Sequence, residues 1–160
     1  MKEVLRSDYI DWLDRKRGNG LVKIITGVRR CGKSYLLFTL FKRHLLEQGV
    51  KNDHIIALAL DDYGNRQFLD ADALYKYVRS KIVDSEQYYI LLDEIQLVEG
   101  FEAVLNGFLH LDGVDVYVTG SNSRFLSSDI VTEFRGRGDE IRVLPFSFAE
   151  VYGIYESEKS

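Results

Sequence analysis

Between a short β-branched run, Leu21 to Ile25 (LVKII), and a stretch of helical periodicity, Tyr35 to Leu46, the chain places Gly27, four further residues, then Gly32, Lys33 and Ser34. This spacing constrains the fold more than any other stretch does. A glycine-bracketed turn that leads from a strand into a helix points its backbone N–H groups inward, and only glycine lets backbone approach a bound group without a clashing Cβ. The pattern is that of a phosphate-binding loop. On this reading Gly27, Val28, Arg29, Arg30, Cys31 and Gly32 wrap a triphosphate, and Tyr35 lies in the first helical turn behind them. Lys33 reaches the β- and γ-phosphates as a point charge. The Ser34 hydroxyl is placed to ligate Mg²⁺ at a helix N-terminus that favours anions.

The elements around the loop alternate. Ser7 caps a first helix to about Arg17, which ends at Gly18-Asn19-Gly20. The division expected is an N-terminal helical segment over 1–20 and a nucleotide-binding core over 21–160. Strand one spans about 21–26, and a helix from Lys33 to Gln48 is closed by Gly49. His54 to Leu60 (HIIALAL) reads as a strand buried on both faces. A polar, mobile segment (63–68) and a helix over about 72–83 follow it. Strand three is Tyr88 to Asp93 (YYILLD), a helix covers Phe101 to Leu111, and strand four is Val114 to Thr119 (VDVYVT). A fifth strand is expected at Glu140 to Leu144, stopped by Pro145, the sole proline, with a short helix at 147–152. Strands alternating with helices predict an α/β fold in three layers, a parallel sheet covered on both faces.

Composition narrows the partners. A formal charge of −4, with its 21 Lys and Arg spread along the sequence, presents no broad basic face, so nucleic acid is unsupported by charge. Cys31 is the single cysteine, which excludes an internal disulfide framework and suits a reducing compartment. The N-terminus lacks the apolar core of a signal peptide, and no run of about 18 apolar residues occurs. The expectation is a cytoplasmic protein that does not span a membrane.

Two further stretches carry chemistry. Strand three ends in Asp93-Glu94, an apolar run followed by adjacent carboxylates. The first acid of such a pair holds Mg²⁺ and the second polarises the attacking water in phosphoryl transfer. Strand four closes on Thr119-Gly120-Ser121-Asn122, where parallel sheets gather ligands at strand ends. Ser121 or Asn122 is placed to sense the γ-phosphate, and the same residues also suit a turn that caps the next helix. Arg135 and Arg137 lie on a glycine-rich segment ahead of strand five, the setting of an arginine that stabilises transition-state charge. Asp61-x-x-Gly64 matches an element of GTPases, but no N-K-x-D guanine reader accompanies it.

GVRRCGKS, ILLDEIQ, VTGSNS and FRGRGDEIRVLPFSFAEVY together resemble the AAA-type domain of a large group of prokaryotic P-loop ATPases. The resemblance implies a five-stranded P-loop NTPase core of order 5-1-4-3-2, with ATP as the nucleotide and Lys33 and Ser34 at its phosphates. It further implies Asp93 at Mg²⁺, Glu94 as the catalytic acid and Arg137 as the arginine of the Gly-Arg segment. Members continue into a helical region and a C-terminal domain related to restriction-type nucleases. The 160 residues are therefore expected to be the N-terminal part of a longer chain, partnered by that missing domain or by further copies of itself.

Three functions compete at this point. The first is Mg²⁺-dependent ATP hydrolysis, with Lys33, Glu94 and Arg137 as the catalytic groups. The second is an ATP-gated switch with little turnover that orders the 61–70 or 121–138 loops for a partner. A small-molecule kinase is the third, and the Asp-Glu tandem and the lack of an arginine-rich lid argue against it.

Overall fold

The computed structural model describes residues 7–27, 32–121 and 138–143. Helix α1 (Ser7–Arg15) precedes β1 (Val22–Thr26). A continuous helix, α2, then covers 33–47, followed by β2 (Ile55–Ala59), α3 (Ala71–Lys81), β3 (Tyr88–Asp93), α4 (Phe101–Leu109), β4 (Val114–Gly120) and β5 (Gly138–Arg142). The five strands form one sheet in the order β2-β3-β4-β1-β5, and every neighbouring pair is parallel. This is the order expected, 5-1-4-3-2, read from the other edge.

Alternation along the strands builds two cores. Val22 and Ile24 of β1, Tyr88, Ile90 and Leu92 of β3, and Val116 and Val118 of β4 meet Leu74 and Val78 of α3 and Phe101 and Phe108 of α4. The intervening residues Ile25, Leu91 and Tyr117 meet Leu13 of α1 and Leu36, Leu37, Leu40 and Phe41 of α2. Each strand thus serves both faces, which is why β3 is buried at all six positions. β2 lies at an edge and is less enclosed, with Ala57 exposed.

Several elements depart from expectation. The middle of α2, Leu36–Phe41, is wound as a π-helix, whose wider turn buries the adjacent pairs Leu36–Leu37 and Leu40–Phe41 together. The segment expected to be irregular is a 3₁₀ helix, Tyr63–Leu69, whose first turn is held by the Asp62 carboxylate accepting from the Gly64 N–H. Strand five begins two residues earlier than predicted, because Gly138 pairs with Val22 and Arg142 with Thr26. The predicted helix at 147–152 lies outside the described residues.

Under the turn that joins α1 to β1 sits a charged network. Lys23 is fully buried and ion-paired with Asp115. Asp115 Oδ2 accepts from the Tyr117 hydroxyl (2.8 Å) and from the Gly18 N–H (3.0 Å), and Asn19 Oδ1 accepts from Lys23 Nζ (3.1 Å). Burial pulls the Lys23 pKa down against the Asp115 charge, and burial likewise pushes the Tyr117 hydroxyl up. The partners are complete, as charges withdrawn from water require.

Candidate functional site

The C-terminal ends of β1, β3 and β4 are neighbours in the sheet, and of the predicted residues Gly27, Gly32, Lys33, Ser34, Asp93, Glu94 and Ser121 are described there. Gly27 (φ 154°) leaves β1 and Gly32 (φ 94°) enters α2, both in backbone conformations that favour glycine. Val28, Arg29, Arg30 and Cys31 between them lie outside the described residues, as do Asn122, Arg135 and Arg137. Lys33 is 4% exposed, and its Nζ donates to the Gly27 carbonyl at 3.0 Å. The cation is thus turned back onto the last described residue of the strand-one end. Tyr35, two residues further in the same helical turn, is half-exposed.

Ser34 and Asp93, 59 positions apart, are joined by a hydrogen bond of 2.6 Å from the Ser34 hydroxyl to Oδ2. The other carboxylate oxygen, Oδ1, accepts from the Thr119 hydroxyl at 2.5 Å, and Thr119 Oγ1 in turn accepts the Glu94 N–H at 2.9 Å. One β4 side chain thereby sets both acids. Sequence reading stopped at Thr119 as a strand terminus. Its signal was a hydroxyl on the last buried turn of a strand, and its role depends on a cross-strand adjacency that no spacing along the chain records.

Asp93 is 3% exposed. Burial foremost raises its pKa above the usual carboxylate value; the hydroxyl bonds from Ser34 and Thr119 oppose this, and the charges of Glu94 and Asp61 add to it. A carboxyl raised on folding favours the folded state when protonated. That contribution is present below the unfolded pKa and is lost as pH rises through the folded one. At neutral pH the charge therefore costs stability. Asp93→Asn is expected to raise the melting temperature of the nucleotide-free chain at pH 7. The gain should shrink towards pH 4, where the wild-type carboxyl is itself protonating, and thermal unfolding at the two pH values checks this.

Glu94 turns sharply out of β3 with φ 60° and ψ 49°, the left-handed conformation that costs a non-glycine residue about 1 to 2 kcal/mol. It is nonetheless 8% exposed. Its carboxylate accepts from the Ser121 hydroxyl at 2.7 Å (Oε2) and 3.0 Å (Oε1) and from Gln96 Nε2 at 2.5 Å. Among the described residues Ser121, just past β4, therefore joins Thr119 at the acids, and Asn122 lies outside the described residues.

Residues 19–152 match the model of a protein family described as the AAA domain. The chain belongs to the AAA domain family. An uncharacterized protein of Haemophilus influenzae is 34% identical over 148 residues, covering 92% of this chain and 37% of the relative. An uncharacterized protein of Methanocaldococcus jannaschii is 29% identical over 133 residues, covering 81% of this chain and 27% of the relative. The AAA domain described here thus spans about a third of the length of these relatives. Among solved structures, C. elegans PCH-2 superposes with a TM-score of 0.64 at 15% identity, over 97% of this chain and 46% of that one. A DNA replication initiation factor superposes with a TM-score of 0.58 at 17% identity, over 96% and 49%. The shared architecture is the three-layer P-loop NTPase fold, and AAA membership points to nucleotide binding. No helix among the described residues is long and apolar enough to cross a membrane.

Proposed function

We propose that this AAA domain binds ATP with Mg²⁺ at the ends of β1, β3 and β4 and hydrolyses it. The observation that carries the reading is the Ser34–Asp93 hydrogen bond, which seats the phosphate-loop hydroxyl against the strand-three acid beside buried Lys33. A buried carboxylate with hydroxyl neighbours and further acids close by is a hard oxygen donor set, and it suits Mg²⁺. Ser34 and Asp93 would hold the ion, which supplies neutralisation of charge on the β- and γ-phosphate oxygens.

The chain's own groups then divide the work. The loop from Gly27 to Gly32 and the start of α2 bind the phosphates. Lys33 exchanges its bond to the Gly27 carbonyl for the β- and γ-phosphate oxygens, placing positive charge where negative charge develops. Glu94 accepts a proton from the attacking water and orients it in line. Arg137 is assigned the neutralisation of transition-state charge from its glycine-rich segment. The longer chain seen in the relatives suits a domain whose nucleotide state controls a C-terminal region or assembly with further copies.

One observation favours the switch reading beside this. Ser121 donates to both oxygens of Glu94, so the acid is occupied until that hydroxyl finds another acceptor such as a γ-phosphate. Calorimetric titration with ATP, ADP and GTP, with and without Mg²⁺, tests the common part. ATP affinity that falls when Mg²⁺ is chelated is expected, and equal affinity with and without the metal would remove Asp93 and Ser34 from the assignment. Single-turnover hydrolysis then separates enzyme from switch.

A further inference from the structure

Gln96 follows Glu94 by two positions, in the 3₁₀ turn Ile95–Leu97 that the Leu97 N–H closes onto the Glu94 carbonyl (3.1 Å). Its Nε2 donates to Glu94 Oε2. Its other amide atom, Oε1, is buried and has no hydrogen-bond partner, and it is the side-chain atom in that condition among the described residues. An acceptor left unmade in the interior costs about 1 to 3 kcal/mol. Turning the amide over would not relieve it, because Oε1 would then face the Glu94 carboxylate and repel it. The side chain is thus kept in an arrangement that is poor for its own satisfaction and good for Glu94. The gain to folding from that one bond is offset by the orphaned oxygen, which an apolar side chain of the same size would not carry.

We infer that Gln96 is a positioning residue for Glu94, its amide fixing one carboxylate oxygen so that the other faces the attacking water. The inference rests on the hydrolytic reading above and deepens it. Two donors act on the acid, and they differ in how they are mounted. Ser121 stands at the end of β4 and touches both oxygens; Gln96 is carried on the same turn as Glu94 and touches Oε2 alone. When the Ser121 hydroxyl moves to a phosphate oxygen, Oε1 is released and Oε2 stays pinned.

The test is single-turnover hydrolysis and Mg-ATP affinity in the longest natural chain that carries this domain, for wild type, Gln96→Leu, Glu94→Gln and the double variant. Gln96→Leu should keep Mg-ATP affinity and change thermal stability little, since loss of the donor to the Glu94 carboxylate is offset by removal of the orphaned oxygen, while lowering turnover about 10- to 100-fold, less than loss of the base itself. In the Glu94→Gln background the same change should have no further effect, because Gln96 acts only through that carboxylate. A merely structural role would lower stability and would cost the same in both backgrounds. Wild-type turnover that is lost in Glu94→Gln but retained in Gln96→Leu overturns the assignment of Gln96 alone. Absence of turnover in the wild type overturns the hydrolytic reading and this inference with it.

Discussion

Lys33→Ala leaves the fold standing and removes tight Mg-ATP binding. Without nucleotide, the lysine side chain is buried at the loop and its Nζ donates to the Gly27 carbonyl. Removing it deletes that bond, worth about 1.5 to 3 kcal/mol for a charged donor, and also deletes a charge withdrawn from water, whose burial opposes folding, so thermal stability should change far less than affinity. With nucleotide the balance is one-sided. The triphosphate brings several negative charges to the strand ends, and removal of the cation aimed at them from the start of α2 leaves part of that charge without its partner. Losses of this kind run to about 2 to 5 kcal/mol, which is roughly 30- to 4,000-fold in affinity. Calorimetric titration of the folded variant measures it. Wild-type affinity in Lys33→Ala would mean that the glycine-bracketed turn is only a turn.

Glu94→Gln should bind Mg-ATP as the wild type does and fail to turn it over. The amide keeps the length and planarity of the carboxylate, and the Ser121 hydroxyl can still donate to its carbonyl end. What disappears is the capacity to accept a proton from water, a contribution typically worth about 10² to 10⁴ in rate. Single-turnover hydrolysis under saturating Mg-ATP, set beside affinity, separates this from a binding defect. Hydrolysis at the wild-type rate would reduce Glu94 to a strand-end carboxylate and leave the switch reading in front, because a domain with an intact phosphate loop can still use ATP binding to order its loops.

The sheet was legible because its strands are dense apolar runs that stop abruptly. Strand three was read to the residue at Tyr88–Asp93, and β1 and β4 to within one, since a buried run that ends in Thr-Gly or Asp-Glu surfaces at the site. Strand five was misplaced for a physical reason: Leu144 and Val143 made the later window look stronger, whereas pairing with β1 is decided by backbone register and admits Gly138 and Asp139. The glycines, Lys33, Ser34 and Asp93 are fixed by chemistry that demands one residue type at one spacing, so a linear pattern finds them. Thr119 and Gln96 act through neighbours across a sheet or within a turn. Many residue types tolerate such places, and nothing in the order of the letters singles these two out.

The buried Lys23–Asp115 pair bears on where this unit can be divided. The family match begins at residue 19, and the sequence itself invites a cut at Gly18-Asn19-Gly20. Yet the Gly18 N–H and the Asn19 amide oxygen complete the coordination of those two charges, and Leu13 is wholly enclosed against α2 and the sheet. Trimming the chain to the family boundary would remove Leu13 and the Gly18 N–H, opening the floor beneath β1 and β4 to water and leaving the Asp115 carboxylate one donor short. The smallest piece that can be excised and still behave as a whole therefore begins ahead of α1, and the leading helix belongs to the ATP-binding unit as its keel.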